Sequence, residues 1–277
     1  MILEVKDFSD NKKMLQDKDV ERFWQIGAGI FRNFFDEDNY FINIENALND
    51  RLDLLEMSFN REDGFRKTTS LSDRIISLER KDLSLQSALY EAMAQAPAMY
   101  QAASNEKLIK LVQILLSKSI MLHLRSLLLM LSPQQQWHLA GWHQDWYYNK
   151  GPQTTLTAYI PLQKTNLENG GLRIALPERG TEWELLEHGD FNASTKWHTI
   201  NPRVVKTFKQ ISEVELERGD LLLFHSLMPH TATNNASSSV RFVANFRYFD
   251  LENQEFLKNR WKIEDRSLAT TALARKL

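Results

Sequence analysis

The chain has 277 residues with seven histidines and no cysteine, so any metal it binds must be held by imidazole and carboxylate. The same absence removes disulfide scaffolds, thiolate zinc sites, iron–sulfur clusters and thiol nucleophiles. Two His-x-Asp triplets stand out: His143-Gln144-Asp145, inside "LAGWHQDWYYNKG", and His188-Gly189-Asp190. One such triplet is weak evidence, and context separates the two. His143 closes a strand-like run, and residues i and i+2 of a strand share a face, so His143 and Asp145 can converge on one ion. His188 follows "TEWELLE", which reads as a helical turn that Gly189 ends in the left-handed conformation. That copy is expected at a surface helix end.

Two ligands do not hold a catalytic metal. The segment "ERGDLLLFHSLMPHTATNNASSSVRFVANFRYF" offers His225 and His230 as a third, followed by a strand bearing Arg241. Two histidines and one carboxylate leave three adjacent positions open on an octahedral ion, the arrangement of non-haem Fe(II) oxygenases. Taken singly, either histidine reads more readily as a satisfied core or loop residue than as a ligand; it is the combination that points to a metal. In the last strand, Phe242, Ala244, Phe246 and Tyr248 share one face, and Arg241, Val243, Asn245 and Arg247 the other. The first face suits packing against helices. The second, with two arginines and an asparagine near a metal-binding turn, suits an anionic ligand, unless those arginines face solvent.

The elements that must position these groups fall into two textures. Residues 1–118 read as mainly helical, with apolar residues at three- and four-residue spacing in "ERKDLSLQSALYEAMAQAPAMYQAASN" and "NEKLIKLVQILLSKS". Pro97 interrupts the first, and Asn105-Glu106 opens the second. "FWQIGAGIFRNFF" (23–35) reads as an early strand. From 119 to 250 short apolar or alternating runs are separated by Gly, Pro, Asn and Asp: "SIMLHLRSLLLML", "QQQWHLAGWH", "TTLTAYIPL", "GGLRIAL", "EVELE", "GDLLLFH" and "VRFVANFRYFD". Such strands predict an antiparallel sandwich or jelly roll. Residues 251–277 close the chain as a polar helix and tail. A single domain is expected, with helices wrapped around a β-core that starts near 119.

Composition bounds the function. A formal net charge of −2 argues against a general nucleic-acid or membrane-surface role. The N-terminus mixes charges from the start, and "LLLML" at 127–131 is too short to span a bilayer. The expectation is a cytoplasmic protein, in which the sequons at Asn192 and Asn235 carry no glycosylation meaning.

In order and spacing, "WHQDW" (142–146), "LTAYIPLQKTNLENGGLRI" (156–174), "GDLLLFHSLMPH" (219–230) and "VRFVANFRY" (240–248) form a series. It resembles the phytanoyl-CoA dioxygenase-like branch of the Fe(II)- and 2-oxoglutarate-dependent oxygenases, over roughly residues 100–250. The resemblance implies an α+β fold with a mainly β core, a cupin-like double-stranded β-helix (jelly roll) with N-terminal helices packed on one sheet. It implies His143, Asp145 and His230 as iron ligands. His230 is preferred to His225 because Arg241 stands at the distance where the family places the arginine for the distal carboxylate of 2-oxoglutarate. A guanidinium matches a carboxylate in a bidentate fork. Tyr159 falls where the family has an aromatic residue beside the co-substrate, and Met130 lies in a strand region that often lines the same pocket.

There are departures. Ala232 stands where the family often has a small hydroxyl residue, with Thr231 and Thr233 beside it, and "ALPERG" (175–180) replaces the usual Pro-Gly-Ser-His. The implied reaction is hydroxylation of an unactivated C–H of a small organic molecule. It consumes O2 and couples to decarboxylation of 2-oxoglutarate to succinate and CO2. Halogenating relatives replace the carboxylate ligand with Gly or Ala; Asp145 keeps it. Tyr147 and Tyr148, just past the ligand, are the candidate substrate-facing pair. Trp142 and Trp146 read more as core, and Gln136 and His138, on the opposite parity to His143, stay outside the site. The competing readings are a non-catalytic jelly-roll protein that binds metal and 2-oxoglutarate, and a metal-dependent enzyme that does not use 2-oxoglutarate. Substrate and oligomeric state are left open.

Overall fold

A computed structural model describes residues 2–5, 15–35, 38–59, 70–123, 126–133, 140–178, 183–189 and 198–263. Its first part has strand β1 (Leu3–Val5), helix α1 (Asp17–Ile26) and strand β2 (Ala28–Phe31). Gly27 separates the last two at φ 76°, and a Cβ there would lie 2.1 Å from the Trp183 ring. Only glycine meets both demands. The run 23–35 is thus a helix end, a glycine turn and a four-residue strand, which corrects the single early strand expected from its apolar content.

Helices α2 (Asp38–Phe59), α3 (Leu71–Lys81), α4 (Ser84–Ala94), α5 (Pro97–Ala103) and α6 (Glu106–Leu115) follow. Local chemistry sets their ends. Ser70 accepts from the Asp73 amide at the start of α3, and Asn105 from the Lys107 and Leu108 amides at the start of α6. Pro97 occupies the first turn of α5, where its missing N–H leaves no bond unmade. Both punctuation points read from the sequence lie where expected.

The second half contains β3 (Ile120–Leu122), β4 (Leu127–Leu131), a short α7 (Asp145–Asn149), β5 (Thr155–Pro161), β6 (Leu172–Ala175), α8 (Pro202–Val205), β7 (Ile211–Glu213), β8 (Leu221–His225), β9 (His230–Ala232), β10 (Arg241–Asp250) and α9 (Gln254–Lys258). The strand expected at "EVELE" comes earlier, as β7, and Leu216 makes only an isolated bridge to Thr165. Of "QQQWHLAGWH", residues 134–139 lie outside the described residues, and His143 forms an isolated bridge. Gln136, His138, Asp190, Asn192 and the tail from 264 also lie outside them.

The strands form two sheets. The larger runs β1-β2-β8-β5-β10-β3, with β4 also pairing β10, and the smaller runs β7-β6-β9. Neither closes on itself, so the jelly roll is an open sandwich. The β-core does not begin near 119: β2 pairs with β8 and β1 with β2. β2 lies within the run read as an early strand, whereas the three residues of β1 carry too little periodicity to read.

Alternation along β10 divides the interior. Phe242, Ala244, Phe246 and Tyr248 join a core with residues of α2 to α6, while Val243 joins a second core between the sheets with Tyr159, Ile174, Leu222 and Phe224. The helices therefore cover one face of the larger sheet, and the other face is left for the site. Among the described residues, no helix is long and apolar enough to cross a membrane.

Candidate metal centre and anion pocket

The site begins with a backbone pairing. His143 and His230 form an isolated antiparallel bridge, each amide donating to the other's carbonyl at 3.0 Å. The strand face that the i, i+2 rule predicts His143 and Asp145 to share is not what brings them together. Instead the chain leaves the bridge, turns at Gln144 and starts α7 with Asp145. The turn brings the carboxylate back beneath both imidazoles.

Each imidazole is oriented from behind. The Nδ1 of His143 lies 2.8 Å from the Gly141 carbonyl, and that of His230 2.9 Å from the Met228 carbonyl. A carbonyl can only accept, so each Nδ1 carries the proton and each Nε2 presents a lone pair. Both Nε2 atoms stand 3.9 Å from Asp145 Oδ1, too far for a hydrogen bond. Burial, with His230 beside it, lowers the pKa of His143 to about 3; burial also lowers that of His230. Three acceptors thus converge with no proton among them, their ligand atoms all within 4.8 Å of one another. Such an arrangement is favourable around a cation and costly without one.

Asp145 is held by residues the sequence reading did not assign to it. Burial opposes its ionisation, but the Arg247 guanidinium and the two imidazoles outweigh that and keep its carboxyl well below the usual range. Arg247 donates from Nε to Oδ2 and from Nη2 to Oδ1, each at 3.2 Å, and the Thr157 hydroxyl donates to Oδ2 at 2.7 Å. The sequence signal was the shared face of Arg241 and Arg247. That face is buried, not solvated: Arg241 is 4% and Arg247 9% exposed. The two arginines have different partners, however, which spacing alone does not disclose.

Arg241 lies on the same face of β10 as Arg247, six residues before it. Its Nη1 donates to the Tyr159 hydroxyl at 2.9 Å and to the Gly170 carbonyl at 2.5 Å, while its buried Nε has no partner among the described residues. A buried guanidinium with an unused donor and no carboxylate beside it fits an anionic ligand. Met130 is a correction: it pairs with Phe242 in the β4–β10 register and faces the helix-side core. One-residue parity puts Leu129 and Leu131 on the Arg241 side instead. Ala232, on the same face of β9 as His230, offers no hydroxyl. Thr231 donates to the Ala140 and Ala232 carbonyls, and Thr233 to those of Leu167 and Gly171.

Aromatic rings cluster around α7. Tyr147 stacks on His188 at 4.1 Å and lies 5.4 Å from His198. The Tyr148 ring is 6.0 Å from His143, and its hydroxyl donates to the His198 carbonyl. His188 is therefore no helix end. It bridges Ile200, whose amide donates to the Trp142 carbonyl, so an extended ladder brings this histidine against α7. Gln144, the spacer between ligands, donates to the Glu184 and Leu227 carbonyls and accepts from the Leu186 amide, tying that loop to the metal turn. Trp142 packs edge-on against Phe208, and Trp146 donates to the Gly151 carbonyl. His225 points elsewhere: it stacks on Trp183 at 4.8 Å, and its Nδ1 accepts from the Leu227 amide.

A family model described as phytanoyl-CoA dioxygenase matches residues 27–243. The chain belongs to the phytanoyl-CoA dioxygenase family. That match takes in the triad, Tyr159 and Arg241, and ends before Asn245 and Arg247. Solved structures share the family fold at low identity. EctD from S. alaskensis, crystallised with bound Fe, is 15% identical with a TM-score of 0.58, covering 88% of this chain and 80% of that one. AviO1 from Streptomyces viridochromogenes Tue57 is 16% identical at 0.55, covering 87% and 98%. SnoK, a non-haem α-ketoglutarate-dependent carbocyclase from nogalamycin biosynthesis, is 16% identical at 0.58, covering 91% and 93%.

Proposed function

We propose that this member of the phytanoyl-CoA dioxygenase family binds Fe(II) and 2-oxoglutarate and hydroxylates an unactivated C–H of a small organic molecule. The observation that carries this is the convergence of three proton-free acceptors, His143, Asp145 and His230, beside a buried Arg241 with an unused donor. EctD supplies a parallel, since it has been crystallised with 2-oxoglutarate and 5-hydroxyectoine.

When bound, iron and 2-oxoglutarate supply an oxidant made from O2 that can remove a hydrogen atom from carbon, with release of succinate and CO2. The chain's own residues prepare the place for it. Backbone carbonyls fix the histidine tautomers, and Arg247 with Thr157 keeps Asp145 ionised and still. Arg241 and Tyr159 would take the distal carboxylate of the co-substrate. Tyr147, His188 and Tyr148 line the approach and would orient the substrate. The fate of the substrate after hydrogen removal depends on its own structure: SnoK, with the same fold, is a carbocyclase, so ring formation is the alternative outcome to hydroxylation.

The test is succinate formation by the iron-loaded protein in air. Wild type is expected to convert 2-oxoglutarate slowly without substrate and faster with a cognate small molecule, and Asp145→Ala to abolish both. Turnover that persists in Asp145→Ala overturns the assignment. Conversion of a small molecule without succinate formation, unchanged in Arg241→Ala, points to a metal enzyme that does not use 2-oxoglutarate. Tight binding of both ligands with no decarboxylation across a broad substrate screen points to a non-catalytic binding protein.

A further inference from the structure

The Asn245 side chain lies in the same buried face as Arg241 and Arg247, is 4% exposed, and its Oδ1 has no hydrogen-bond partner among the described residues. A buried amide oxygen without a partner costs free energy in the ligand-free protein, so its place calls for a reason. Strand register supplies one. On the interior face of the larger sheet, Phe224, Thr157 and Arg247 lie side by side across β8, β5 and β10. Thr157 and Arg247 grip Asp145, and the Phe224 ring is 4.8 Å from that of His230. This row is level with the candidate ligands Asp145 and His230.

The next row on that face, two residues or roughly 6.6 Å along the strands, is Leu222, Tyr159, Asn245 and Leu127. Tyr159 reaches from this row to hydrogen-bond Arg241. Leu222 and Leu127 carry no polar side-chain atom, so Asn245 is the one amide in a row standing between the carboxylate ligand and the guanidinium. A 2-oxoglutarate held between those two must run past it.

We infer that Asn245 binds the keto-acid end of 2-oxoglutarate, its amide N–H donating to an oxygen of that group. The inference rests on the co-substrate reading above and adds to it a residue beyond the reach of the family match. Amide oxygen and nitrogen exchange places by a half-turn of the side chain, so the unpartnered end is free to present either atom. Asn245 here complements Ala232: a donor from β10 takes up work that a hydroxyl on β9 does not perform in this chain.

The experiment is an anaerobic titration of Fe(II)-loaded protein with 2-oxoglutarate, following the visible charge-transfer band of the keto acid on iron, for wild type, Asn245→Leu, Asn245→Ser and Asn245→Asp. Loss of one hydrogen bond to a charged group predicts a Kd raised about tenfold or more in the Leu variant. Asn245→Ser, which keeps a donor, should lie between Leu and wild type, and Asn245→Asp should bind most weakly, since it sets an anion against an anion. A second readout separates ligand binding from a structural role. Without 2-oxoglutarate, Asn245→Leu should melt at or above the wild-type temperature, because it removes an unsatisfied buried amide. The rise in Tm on adding 2-oxoglutarate should shrink. Equal Kd values in wild type and the Leu variant overturn the inference, as does a Leu variant that melts lower alone yet gains the full Tm rise. If wild type itself develops no band, it is the co-substrate reading that fails.

Discussion

His143 and His230 exchange two backbone hydrogen bonds of 3.0 Å, so the two histidines of the candidate metal centre are fixed to each other before any ion arrives. Their rings lie 4.2 Å apart, and each is aimed by a carbonyl two residues before it in the chain. The third ligand is fixed differently, by Arg247 and Thr157. Half of the site is thus held by backbone and half by side chains, and the two halves should respond differently to mutation.

Arg247 is the side-chain half. Arg247→Leu removes the bidentate clamp and leaves Asp145 buried without its counter-charge, so Fe(II) affinity is expected to fall roughly 10- to 100-fold. The Asp145 pKa should rise at the same time, so affinity in the variant should weaken further as pH falls from 7 toward 5, where wild type is nearly constant. Metal titrations at the two pH values check this. Equal affinity in variant and wild type would mean the clamp does not position the ligand.

The buried histidines make the metal-free protein acid-sensitive. His143 and His225 are both lowered to about 3, burial being the first cause in each. The unfolded chain therefore binds protons that the native state refuses between about pH 6.5 and 3, and stability must rise with pH across that window. Stability is expected to drop by about 2–3 kcal/mol for each pH unit between 6 and 4.5, measured by urea unfolding. Asp145 adds a loss only further down, below about pH 4, where the unfolded carboxylate takes its proton. A flat profile from pH 7 to 5 would contradict the neutral state of these histidines.

Gln144 is fully buried and makes three side-chain hydrogen bonds to two separate segments. At about 1 kcal/mol for each bond, Gln144→Ala should lower stability by about 3 kcal/mol. Because the loop carrying His188 is one of those segments, limited proteolysis should also cut near 183–189 faster in the variant. An unchanged unfolding midpoint would show the contacts to be energetically idle.

Parity gives a paired test at the anion pocket. Met130→Leu, on the helix side of β4, should leave 2-oxoglutarate affinity unchanged and cost less than about 1.5 kcal/mol. Gly170→Ala should do the opposite. Gly170 has φ 89°, its Cβ would lie 2.4 Å from Leu131 Cδ2, and its carbonyl holds Arg241. Strain there should displace the guanidinium and weaken co-substrate binding several-fold, as read by the same titration. If Met130→Leu is the variant that loses affinity, the strand register is wrong.

The residues themselves determine a good deal. With no cysteine, the ligand chemistry is restricted to imidazole and carboxylate; Pro97 and Asn105 punctuate the helices; and the two-residue period of β10 separates a helix-packing face from a polar one. These are local properties, set by side-chain chemistry, by capping and by backbone geometry within a few residues, so a sequence displays them. What only the tertiary structure decides is which ends of long side chains meet. The pairing of strands distant in the chain puts Met130 on the helix side, assigns Arg247 to Asp145 and Arg241 to Tyr159 and Gly170, and brings Asn245 level with Tyr159. The same non-local pairing turns His188-Gly189, which looks like a helix end, into an extended ladder stacked on Tyr147. Register is a relation between segments, and a shift of one residue reverses every face it defines.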